Sequence, residues 1–184
     1  SRSISWPASS WPGQIWRSRV IESGSLATPG AVHQLLRAYG FRIKKSLGQN
    51  FLIDKNILAK IVQAAQVGPG DVVLEIGPGI GALTQALAEA GARVVAVEID
   101  RELVKVLHHT MAGYEGVQVV HGDALAMPLS ELLPGGVSCR VVANLPYYIT
   151  PPLIMRMYEE QLPMQVAVVL VQREVAARRS LIHI

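Results

Sequence analysis

The sequence is poor in reactive sulfur, in phenylalanine and in charge: its 184 residues include one Cys, two Phe and 17% charged side chains. With Cys139 alone, no intrachain disulfide can form. The valines at 137, 141 and 142 around it mark a buried thiol rather than a reactive one. This cysteine usage suits a reducing cytoplasm. Long hydrophobic runs are missing as well. The longest, 166–171, falls far short of the roughly 20 apolar residues that span a bilayer, so neither a transmembrane helix nor a membrane partner is expected. A net charge of +3 leans towards an anionic partner, but many proteins that bind no nucleic acid carry as much.

Half of the residues are hydrophobic, enough for one domain with a real core, while the chain is too short for two ordinary domains. Residues 1–26 stand apart. They are rich in Ser, Pro and Gly, hold all three tryptophans (Trp6, Trp11 and Trp16) and follow neither the helical nor the strand period. Such a stretch reads as a disordered tail. Pro7 and Pro12, with serines between them, deny it the apolar centre of a signal peptide, so export is not expected.

Regular patterning begins at Asp54, a suitable N-cap for a helix whose Ile57, Leu58, Ile61, Val62 and Ala65 form one apolar stripe. Beyond it the spacing predicts a buried strand over Val72–Ile76, a helix over 81–90, a strand over Arg93–Glu98 and a helix over 101–111. Strands follow at 117–120 and 139–143. A helix opened by Thr150, Pro151 and Pro152 precedes a fifth strand at 165–171. Near-continuous Val, Ile and Leu strands separated by helices imply a parallel sheet covered on both faces, a doubly wound α/β domain over residues 27–176.

The first strand runs into Glu75-Ile76-Gly77-Pro78-Gly79-Ile80-Gly81 and then a helix, so glycines stand where the backbone must turn tightly and admit a ligand. The spacing is G-x-G-x-G, not the G-x-G-x-x-G of dinucleotide binders. The second strand ends at Glu98, where an acidic side chain can accept both hydroxyls of a ribose or simply cap the next helix. Asp100 is the better cap for a helix starting at Arg101, which leaves Glu98 for the ribose. This pattern, with Gly77, Gly79 and Glu98, resembles the class I, Rossmann-like S-adenosyl-L-methionine-dependent methyltransferases. The resemblance implies that Asp123, in Gly122-Asp123-Ala124, hydrogen-bonds the adenine amine of that cofactor. Read from its context alone, Asp123 is equally a turn residue.

Asn144-Leu145-Pro146-Tyr147 directly follows the fourth strand, beside the expected cofactor crevice. It reads either as an Asn-x-Pro turn or as a site for an amine whose lone pair is delocalised into a ring. Such an amine must have both N–H groups held before it can attack. The Asn144 side-chain oxygen and the Leu145 carbonyl offer two acceptors, Pro146 stiffens the turn, and Tyr147 can stack on a flipped base, with Tyr148 packed against the sheet. No strong general base is required.

Taken with Lys44-Lys45-Ser46-Leu47-Gly48-Gln49-Asn50-Phe51-Leu52-Ile53-Asp54 and Val171-Gln172-Arg173-Glu174-Val175-Ala176, these motifs closely resemble the KsgA family of ribosomal RNA adenine dimethyltransferases from about Thr28 to Ala176. That resemblance implies transfer of two methyl groups to each of two adjacent adenines in a 3'-terminal hairpin of small-subunit (16S) ribosomal RNA, within an assembling pre-30S particle, by a cytoplasmic monomer. It also implies that Gln49, Asn50 and Leu52 join Gly77, Gly79, Glu98, Asp123 and Asn144 around the cofactor, with no metal. Arg37, Arg42, Lys44 and Lys45 offer phosphate contacts, or only a solvated basic stretch. Two relatives of other kinds share the fold: the large-subunit (23S) ribosomal RNA methyltransferase of antibiotic resistance, whose tetrapeptide more often has Ile where Leu145 stands, and non-catalytic RNA-binding or assembly factors. The family sheet ends in an antiparallel hairpin and is followed by a small helical domain. Here five strands and an unmatched tail, residues 177–184, are expected, leaving Val166, Val168, Val169 and Leu170 on an open edge and the chain poorly soluble.

Overall fold

The computed structural model describes residues 26, 30, 37, 54–135, 137–146, 148–172 and 179–183. The tail at 1–25, the stretch holding Arg42, Lys44, Lys45, Gln49, Asn50 and Leu52, Tyr147, and residues 173–178 lie outside them. Leu26, grouped with the tail on composition, is buried and donates its amide to Gln85 Oε1 at 3.0 Å.

Six strands form one sheet in the order β3-β2-β1-β4-β5-β6: β1 Val72–Ile76, β2 Arg93–Glu98, β3 Val117–His121, β4 Cys139–Leu145, β5 Met164–Gln172 and β6 Arg179–His183. The first five are parallel. Helices α1 Lys55–Ala64, α2 Ala82–Glu89, α3 Arg101–Thr110 and α4 Thr150–Glu159 alternate with them, and a 3-10 turn at Leu129–Leu132 precedes β4. Every residue of β1 is buried because both faces of the sheet are covered.

The side-chain alternation of the strands separates two cores. Val73, Val94 and Ala96 pack with Leu58 and Ile61 of α1, Leu83 and Leu87 of α2, and Leu103 and Leu107 of α3. Val72, Leu74, Ile76, Val95 and Val97 pack on the opposite face with Leu129, Leu133 and, from α4, Leu153 and Met157. Full burial of a side chain such as Ile61 or Leu107 stabilises the fold by about 1.5–3 kcal/mol. Asp54 caps α1 as its position predicts, accepting from Asn56 N and Ile57 N. Cys139 is fully buried, and burial pushes its thiol up to about 11.

Three expectations are corrected. A sixth strand is present: β6 runs antiparallel to β5, pairing Val168 with His183, Val169 with Ile182 and Leu170 with Leu181, so that stretch of β5 is not an open edge. Val166 lies beyond the paired register. The second correction concerns Asn144 and Leu145, which do not follow β4 but end it, pairing with Leu170 and Val171 of β5. Third, Tyr148 does not pack. It is 60% exposed, and Ile149 turns inward in its place, against the core beneath α4.

Candidate active site

Parallel register brings the strand ends together. Ile76 pairs with Val97 and with Ala143, and Glu98 with His121, so Gly77, Glu98, Asp123 and Asn144 gather at one carboxyl edge. The order reverses there: β1 connects through α2 to β2 on one side, while β4 lies on its other side. Such a switch point opens a crevice outside the strand ends. A groove between α1 and α2, lined by Leu58, Val62, Gln85 and Glu89, includes none of these residues.

Gly77, Gly79 and Gly81 all adopt positive φ, at 74°, 63° and 93°. The requirement is sharpest at Gly77. A Cβ there would lie 3.1 Å from the Asn144 carbonyl oxygen and 3.3 Å from Leu145 Cδ2, so its backbone seats directly against the end of β4. The turn leads into α2, whose first amides face this edge with the positive end of the helix dipole.

Glu98 is buried and held from two sides: Gly79 N donates to Oε2 at 3.1 Å and Asp100 N to Oε1 at 2.9 Å. Burial raises its carboxyl above the usual range, the amides of Asp100, Gly79 and Ile99 pull it back, and the charge of Asp100 raises it again. Asp100 caps α3 through Glu102 N, as its position predicts. Asp123 is a turn residue in part, since Oδ1 accepts Leu125 N at 2.8 Å. Among the described residues its Oδ2 accepts nothing, and the half-buried Asn144 side chain makes no hydrogen bond. Ile149 N donates to Pro146 O at 3.1 Å, closing the turn between β4 and α4. Gln49, Asn50, Leu52 and Tyr147 lie outside the described residues, and Arg37 is exposed.

Glu75 is a further buried acid, not expected at this edge from the sequence. It is 1% exposed, faces the same side of the sheet as Glu98, and its Oε2 has no partner. Burial pushes its carboxyl up to about 8; the Thr84 hydroxyl offsets this only in part, without closing a hydrogen bond, and the Glu98 charge adds to the rise. The signal was present in the sequence, because an acid in the middle of a strand buried on both faces cannot reach water.

A glycine turn at the switch point, an acid clamped at the end of β2 and acceptors at the end of β4 define a class I, Rossmann-like methyltransferase fold. The family model for "Ribosomal RNA adenine dimethylase" matches residues 40–181, and the chain belongs to that family. The ribosomal RNA small subunit methyltransferase A of Alkaliphilus metalliredigens is 48% identical over 156 residues, 83% of this chain and 54% of its own length. The chain spans about half the length of the curated relatives it matches. Among solved structures, the 23S rRNA methyltransferase ErmE is 34% identical with a TM-score of 0.59, over 68% of this chain and 49% of its own. A dimethyladenosine transferase from Plasmodium falciparum is 31% identical with a TM-score of 0.56, over 66% of this chain and 42% of its own.

Proposed function

We propose that the protein uses S-adenosyl-L-methionine to dimethylate the exocyclic amines of two adjacent adenines in the 3'-terminal hairpin of small-subunit ribosomal RNA, in a cytoplasmic pre-30S particle and as a monomer. The observation that carries the reading is the contact between Gly77 and the end of β4, which sets the glycine turn and the Asn144 acceptor in one crevice. In this reading the folded domain begins after the tail and Gln49, Asn50 and Leu52 complete the cofactor's surroundings.

The residues fit the cofactor. Gly77 lets the glycine turn seat against the end of β4, Glu98 keeps lone pairs for ribose hydroxyls beyond its two backbone bonds, and Asp123 has an oxygen left for an adenine amine. When bound, the cofactor supplies a methyl group activated on a sulfonium. The chain's own task is to hold the target nitrogen. Asn144 Oδ1 accepts one N–H and the Leu145 carbonyl the other, drawing the lone pair out of conjugation, while Tyr147 stacks on the base. Pro146 offers no amide to compete for those acceptors. The nitrogen's proton becomes acidic on methylation and leaves to water.

Similarity to ErmE supports a second reading, methylation of large-subunit RNA; Leu145 and the small-subunit names of the curated relatives favour the first. Transfer of radiolabelled methyl groups to small-subunit particles but not to large-subunit RNA is the expected result. The reverse pattern replaces the first reading with the second, and binding without transfer to either leaves an assembly factor.

A further inference from the structure

Glu75 plays no part in that mechanism, yet it is the most deeply buried carboxyl among the described residues. It sits one residue before the end of β1, under the glycine turn. In register beside it are Ala96 of β2 and Val142 of β4, both apolar. Two residues beyond Ala96, on the same face, stands Glu98, and α2 contributes the unpartnered Thr84 hydroxyl. The charged groups of the covering helices, Lys55 and Lys60 on α1, Glu89 on α2, and Arg101, Glu102, Lys105, His108 and His109 on α3, are exposed. The buried described residues include no Lys, Arg or His, and the half-buried Arg140, on the same face of β4 two residues before Val142, is paired with Asp71 at 2.6 Å. Asp100, buried beside Glu98, adds negative charge.

Two acids on one buried face, with the one nearby cation already paired with Asp71, cannot both ionise cheaply. Glu98 has two amides to hold its charge, whereas Glu75 Oε2 has none. The pair therefore keeps one proton, on Glu75. A cation in the crevice would repay the cost of removing it, and the cofactor differs from its product, S-adenosylhomocysteine, by one positive charge at sulfur.

We propose that Glu75 sets the preference of this site for the sulfonium cofactor over the neutral-sulfur product, remaining protonated when the crevice is empty or holds product and releasing its proton to solvent when cofactor is bound. This rests on the cofactor assigned under the proposed function. Calorimetric titration of the chain with each ligand, from about pH 6.5 to about pH 9 and in buffers of different ionisation enthalpy, counts the protons. The wild-type chain should release up to one proton per cofactor bound and fewer per product, with the affinity ratio rising by up to about tenfold per pH unit. Glu75→Gln copies the neutral acid in shape and should remove that release and flatten the ratio. Each ligand's own amine titrates alike in both proteins, so their difference isolates Glu75. Equal proton release from wild type and variant overturns the proposal while cofactor binding stands. Identical proton counts for cofactor and product in the wild-type chain reject it without the variant, and failure to bind either ligand overturns the cofactor assignment as well.

Discussion

Glu98 Oε2 accepts the Gly79 amide at 3.1 Å, tying the end of β2 to the glycine turn that follows β1. Its other oxygen accepts Asp100 N at 2.9 Å, so one buried side chain fixes both walls of the crevice. Glu98→Ala leaves two amides without acceptors and should cost about 2–4 kcal/mol. Glu98→Gln keeps one acceptor and should lose about half as much. Urea denaturation measures both, and an unchanged midpoint in Glu98→Ala contradicts the clamp.

Gly77→Ala forces a side chain into left-handed backbone at φ 74° and against the Asn144 carbonyl. The strain is worth about 1–2 kcal/mol, and the contact should also push β4 away from the turn, weakening cofactor binding by about tenfold, or 1.4 kcal/mol. Gly91→Ala is the control. Its φ is 90° and its Cβ would meet Pro69 Cα at 2.9 Å, at the opposite edge of the sheet. It should lower stability and leave the cofactor dissociation constant unchanged; equal weakening in both variants would make the Gly77 effect one of general strain.

Why some of this was legible in the sequence and some was not follows from where each signal resides. β1 and β2 fall on their predicted residues because a Val-rich, mostly apolar run admits few alternatives in a parallel sheet, and Asp54 and Asp100 cap as predicted because capping is local. β6 has no such run. Arg179-Ser180-Leu181-Ile182-His183 becomes a strand only through pairing with β5, a partner that local pattern does not reveal. Asn144 and Leu145 were placed outside β4 because Asn and Pro read as a turn, whereas pairing with Leu170 and Val171 carries the strand two residues further. Glu75 stands in the sequence only as part of the glycine motif; an acid in a strand buried on both faces was the signal, and the structure shows the carboxyl fully buried with Oε2 unpartnered.

That proton makes stability depend on pH in a fixed direction. Glu75 titrates at about 8 when folded against 4.5 otherwise, so between those values the folded chain binds the extra proton. The Glu75 contribution to stability is therefore fully present below about pH 4.5 and is lost as pH rises through about 8, by roughly 3–5 kcal/mol. Glu75→Gln removes this loss and should be more stable than the wild type at about pH 9. Denaturant midpoints that fall equally with pH in both proteins would assign the dependence to other groups.

Asn144 offers the cleanest separation of chemistry from folding. Its side chain is half-buried and makes no hydrogen bond among the described residues, so Asn144→Ala should cost less than about 1 kcal/mol of stability. If its oxygen holds the target amine, the same change should lower kcat by about 100-fold or more at saturating cofactor, the scale seen when one preorganised hydrogen-bonding group is removed from an active site. Asn144→Asp keeps an acceptor at the same reach and should recover part of the loss, because what the amine requires there is a lone pair. Single-turnover methyl transfer, with cofactor occupancy checked by calorimetry, distinguishes the cases. Full activity in Asn144→Ala would remove the acceptor mechanism. Equal inactivity in both variants, with cofactor bound, would mean that the side chain's N–H groups, and not its oxygen, do the holding.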